Sequence, residues 1–215
     1  MAAAAPRWRR RKAARPAEIV AAALDVFAER GFAAARLEDI AARAGVSKAA
    51  LYLYFPTKED LFRAVVAEAV APNLERMRAA AAAFEGSFAA LARALLPTLA
   101  ATLADGPLAS VVKMVVGESR NFPELARVWH DDLVEKALAV VGGQIERAQA
   151  RGEVKPGDPR IYALGLVAPM LLALLWRETF VPIGAPPFDV EAVARQHVET
   201  VLGGMLAGRG EGRLD

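Results

Sequence analysis

Apolar positions recur at helical spacing along most of the chain, and no segment alternates in the two-residue period of a half-buried strand. Ile19, Ala23, Val26 and Phe27 fall at i, i+4, i+7 and i+8, one face of a first helix over 17–30 that Gly31 ends as a C-cap. Leu37, Ile40, Ala41 and Ala44 stripe a short second helix over 37–44, with Glu38 and Asp39 in its first turn, where the helix dipole favours carboxylates. Gly45 supplies the left-handed backbone of a tight turn, and Ser47 caps a third helix that lasts to about Phe55. Pro56 and Thr57 separate it from a fourth, which starts near Lys58 and carries Leu61, Val65, Val66 and Val70 before Pro72, expected to interrupt or kink it. Further helices are expected over 87–104, 107–119, 123–151, 158–180 and 189–207, opened by Pro107, Pro123, Asp158-Pro159 and Asp189. The chain is therefore read as all-α.

Residues 37–55 read as a helix-turn-helix. Leu51 and Phe55 lie one turn apart and, with Val46, face inward. Ser47, Lys48, Ala49, Ala50, Tyr52 and Tyr54 are left to form the surface of a recognition helix. Lys48 can reach a guanine edge or a phosphate, Ala49 and Ala50 offer only methyl contact, and Tyr52 and Lys58 suit phosphates. Tyr52 and Tyr54 are also plausible packing residues of a small three-helix core, and the pattern leaves both readings open.

Charge sharpens this picture. Residues 1–66 hold 12 Lys and Arg against 7 Asp and Glu, whereas residues 67–215 hold 15 against 18. A basic head on an acidic body points to a polyanion bound at one end. Residues 1–16 concentrate Arg7, Arg9, Arg10, Arg11, Lys12 and Arg15 without apolar periodicity, and are expected to be a disordered arm. The absence of cysteine excludes disulfides and thiolate metal sites. The basic start lacks the apolar segment of a secretory signal, and the 163–176 apolar run is short for a membrane span, so a cytoplasmic protein is expected.

The run from Ile19 to Phe62, IVAAALDVFAERGFAAARLEDIAARAGVSKAALYLYFPTKEDLF, resembles the DNA-binding domain of TetR-family transcriptional regulators without a gap. Glu118–Asp132 and Arg151–Pro159 resemble a branch containing AefR-like regulators. The resemblance implies a homodimer that binds a palindromic double-stranded operator and is released by a small molecule. The chain departs from the family at Ala35, where a hydroxyl residue is usual before the second helix, and Arg36 is the expected electrostatic replacement. The implied organisation is an arm (1–16), a DNA-binding head (17–63), a ligand-binding and dimerisation body (64–208) and a flexible tail (209–215). Helix 4 is taken as the one covalent route between head and body.

In the body, Phe84, Phe88, Met114, Phe122, Trp129, Met170 and Trp176 are candidate pocket residues, with ordinary core as the competing reading. Helix 158–180 is apolar nearly all round and helix 189–207 carries a wide stripe, so both are dimerisation candidates. No catalytic constellation is present and no cofactor is expected. His130, Asp131, Asp132 and Glu135 read as a solvated face, and His197 as a boundary or interface histidine. Three functions compete: a ligand-responsive repressor, a DNA-binding protein or activator whose body only dimerises, and, least supported, a helical enzyme.

Overall fold

The computed structural model describes residues 7–105 and 108–207, with the side chains of 7–15 and 69–73 left out. The first six residues of the basic arm, Pro107 and the tail from 208 lie outside the described residues. Among those described there are ten α-helices and no strand, only the single bridge Val154–Leu206. In order they are α1 (Arg7–Ala34), α2 (Leu37–Arg43), α3 (Lys48–Tyr54), α4 (Lys58–Ala83), α5 (Phe88–Asp105), α6 (Leu108–Glu118), α7 (Pro123–Trp129), α8 (Glu135–Ala150), α9 (Pro159–Thr179) and α10 (Val190–Met205).

Three local expectations change. Helix α1 starts at Arg7, inside the segment expected to be disordered, because Arg, Lys and Ala are all good helix formers. Helix α4 runs past position 72 without the interruption that was one of the two outcomes, interruption or kink, expected there. The 123–151 helix is divided by a π-helical turn, His130–Val134, between α7 and α8. The caps follow the sequence: the Ser47 hydroxyl accepts the Ala50 N–H, and the Asp158 and Asp189 carboxylates cap α9 and α10.

The chain divides into two compact units, residues 1–70 with 110–132, and residues 71–109 with 133–215. The first unit is larger than the expected head, because Ser110–Asp132 folds with it. Its core is a ring cluster in which Phe32 packs against Phe27, Phe62 and Phe122 at centroid distances of 5.5, 5.9 and 5.2 Å. Helix α4 is consequently not the one covalent link: the chain passes between the units after Val70, Ala109 and Asp132.

In the second unit α10 packs on α5 and α9, and α9 packs on α8. Its buried core includes Leu96, Ala100, Ile145, Leu166, Met170, Leu174, Val198 and Leu202. Phe88–Asp105 and Pro159–Ile183 have the length and composition of a membrane span, so the 163–176 run understated the extent of the second. Both carry core residues: Leu96 and Ala100 on one, Leu166 and Met170 on the other. Helix α9 also presents an opposite stripe, with Ile161, Leu164 and Leu172 each more than half exposed.

Candidate nucleic-acid interface and apolar cavity

The turn before α3 depends on Gly45, whose φ of 66° lies where side chains other than glycine are strained. Leu51 is fully buried and orients α3 on α2. Helix α2 is in turn tied to α1 by the two-pronged Arg43–Glu29 ion pair, at 2.6 and 2.8 Å, and by Arg30–Asp39.

This anchoring leaves Ser47, Lys48, Ala49 and Tyr52 exposed, with Ala50 and Tyr54 half-buried. Arg36, at the cap of α2, is also exposed. The Lys48 ammonium pairs with Glu38 and lies 5.7 Å from the centre of the Tyr52 ring. The Glu38 hydrogen bond raises the Lys48 pKa and lowers that of Glu38, so both stay charged at neutral pH. A carboxylate thus sits on the cation expected to meet a base edge or a phosphate.

Sequence reasoning missed Leu53, which is 78% exposed on α3. It follows Ala49 by four residues and so shares its face, a signal hidden by the habit of assigning leucine to the core.

Lys58 is placed differently from the phosphate role expected of it. Its ammonium donates to the Phe32 carbonyl at 2.6 Å and the Ala35 carbonyl at 3.1 Å, and lies 4.4 Å from the centre of the Phe32 ring. Burial lowers its pKa. Its hydrogen-bonding capacity is directed inward, toward carbonyls that the α1–α2 connection leaves unpaired within its helices. Ala35, at the position where a hydroxyl is usual, is buried.

The second unit contains an apolar cavity of about 60 Å³ lined by α4, α5, α8 and α9, among them Met77, Leu95, Leu99, Val140, Val141 and Val167. Beside it is a more polar crevice of about 400 Å³ bordered by Phe84, Arg147 and Arg151. Of the seven pocket candidates, Phe88 lines both spaces and Phe84 lines the crevice.

The other five candidates line neither space. Phe122 packs on Phe32 in the first unit, and Met114 is buried in a segment assigned to that unit. Trp129 is half-buried on α7 in the same unit. Met170 is fully enclosed core. Trp176 packs against Phe180 and Phe188 and donates its indole N–H to the Pro186 carbonyl. Large rings fill space, and here the gap is bordered mainly by Leu, Val and Ala, which size-based reasoning passes over.

Known proteins match both ends of the chain. Residues 19–65 match the description "Bacterial regulatory proteins, tetR family", and residues 83–201 match "Tetracyclin repressor-like, C-terminal domain". The chain belongs to the TetR family. It is 34% identical over 179 residues to the HTH-type transcriptional regulator RutR of Escherichia coli K12, covering 75% of this chain and 70% of RutR.

This TetR-family chain shares its fold with a putative TetR-family regulator from Mesorhizobium loti. That match has a TM-score of 0.76 at 24% identity and covers 92% of this chain and 99% of the other. The SmeT–triclosan complex matches with a TM-score of 0.75 at 22% identity, covering 94% and 97%. SmeT is the repressor of the Stenotrophomonas maltophilia efflux pump SmeDEF. The chain is a DNA-binding transcriptional regulator, not an enzyme.

Proposed function

We propose that the chain is a repressor that binds a palindromic operator as a homodimer and is released by a small apolar or aromatic molecule held in the second unit. The cavity is the observation that carries this reading. Its walls are apolar, and Met77 and Ala81 in those walls belong to α4, one of the segments that continue into the first unit. A space of about 60 Å³ is large enough for several waters. A larger occupant must push side chains aside, and the flexible thioether of Met77 yields most readily. Triclosan bound to SmeT supports a small-molecule effector in this fold.

The α9 stripe of Ile161, Leu164 and Leu172 supports the homodimer, since a soluble helix apolar on two sides must cover both. Two-fold pairing sets two copies of α3 about 34–36 Å apart, one turn of DNA. Within each head, Arg36, Lys48, Ala49, Tyr52 and Leu53 form the contact set. The basic segment from Arg7 to Arg15 adds salt-dependent affinity that is largely independent of sequence.

Gel-shift titration tests the interface. Lys48→Ala and Tyr52→Ala should each weaken operator binding without lowering the melting temperature, and wild-type affinity in both would remove α3 from the contact. Calorimetry tests the release. An effector that weakens DNA binding must itself bind more weakly, by the same factor, when operator is present. Equal binding to free and operator-bound protein would leave the chain as a regulator whose body only dimerises.

A further inference from the structure

Helix α8 carries a gradient of polarity along one face. Val140 and Val141 line the cavity, Gln144 borders both the cavity and the crevice, and Arg147 and Arg151 border the crevice. Gln144, Arg147 and Arg151 lie at i, i+3 and i+7, so they form one row running from the apolar space into the crevice. Ala81, Phe88 and Leu91 also line both spaces, which makes cavity and crevice neighbours across a shared wall.

The charges in the crevice are unbalanced. Its lining includes two guanidinium groups and no carboxylate. Arg151 donates from Nε to Glu153 at 2.5 Å, and the other oxygen of that carboxylate accepts the Phe88 backbone N–H at 2.6 Å. Glu153 is therefore engaged at the start of α5. Arg147 is exposed, and its guanidinium has no ion pair or hydrogen bond among the described residues. A guanidinium offers a planar fork of N–H donors that matches a carboxylate or phosphate.

Building on the effector reading above, we infer that the effector is an anionic amphiphile: an apolar chain directed into the cavity, with an acidic end held by Arg147 and approached by the Gln144 amide. Arg151, already shared with Glu153, adds positive potential in the crevice. A neutral apolar molecule would gain the cavity contacts alone and leave the Arg147 fork unused.

Calorimetry on the full chain with sodium octanoate and 1-octanol separates the two contributions, since the probes share a chain length and differ in the charged end. Octanoate should bind at least tenfold more tightly than octanol. Arg147→Gln should abolish that preference while leaving octanol affinity within twofold. Arg195→Gln, which removes a charge away from the crevice, should keep it. Equal affinity for the two probes, or a preference that survives Arg147→Gln, would overturn the anionic end and leave an apolar effector standing. Failure of both probes to bind at millimolar concentration would overturn this inference and the cavity reading together.

Discussion

The Glu118 carboxylate accepts the Phe32 backbone N–H at 2.9 Å, capping a turn 86 residues earlier in the chain. Its second oxygen accepts the Ala33 N–H at 2.6 Å. These donors are unpaired because Gly31, at φ 76° and ψ 170°, breaks the helix just before them. Glu118→Ala should lower stability by about 1–2 kcal/mol, since hydrogen bonds to charged groups are among the stronger ones. A Cβ at position 31 would collide with Glu118 Oε1, so Gly31→Ala adds a steric cost to the backbone strain. In the double variant the two losses should fall short of their sum, because the clash disappears with the carboxylate. Urea unfolding of the four proteins measures this, and strict additivity would show that the contact does not form.

Operator binding should improve when Glu38 is neutralised. Glu38→Gln frees the Lys48 ammonium and removes a carboxylate that repels phosphate. Affinity should rise several-fold, and the slope of log K against log salt should steepen by roughly 0.9 for each additional phosphate neutralised. An unchanged slope and affinity in gel shifts would mean that Lys48 does not reach DNA.

Leu53→Ala should separate stability from binding. Its side chain is largely in solvent, so the melting temperature should stay close to wild type. Operator affinity should fall several-fold through lost apolar contact with the bases. A large drop in melting temperature with unchanged affinity would reassign Leu53 to packing.

Acid should weaken the second unit through Glu153. The Arg151 hydrogen bond and then the Phe88 N–H hold its pKa below the ordinary value. Its contribution is therefore fully present above about pH 4.3, the unfolded value, and is lost as pH falls through the depressed folded value. Subtracting the stability curve of Glu153→Gln from that of wild type should give a difference that shrinks over this acidic window. A difference that stays constant with pH would show that the carboxylate charge is not what fixes the start of α5.

Helix positions were legible because caps and apolar periodicity act locally: Ser47, Asp158 and Asp189 mark their helices without help from distant residues. The exposed face of α3 followed from the same rule, once Leu51 was assigned inward. What the sequence concealed depends on encounters between remote segments. Nothing near Lys58 announces that its ammonium turns to the Phe32 and Ala35 carbonyls. Nothing near Glu118 announces the turn at Gly31. The cavity was hidden for a related reason: it is defined by where Leu, Val and Ala fail to meet, and no single residue encodes a gap.

The inclusion of Ser110–Asp132 in the first unit bears on the construction of hybrid regulators. A transplant cut after Arg63 carries the recognition helix but leaves behind Phe122 and Glu118. The graft would then depend on whatever the recipient supplies at those two places for a fourth ring and for a cap on the turn at Gly31. The portable module is discontinuous in sequence, and exchanging specificity between relatives means moving two pieces of chain together.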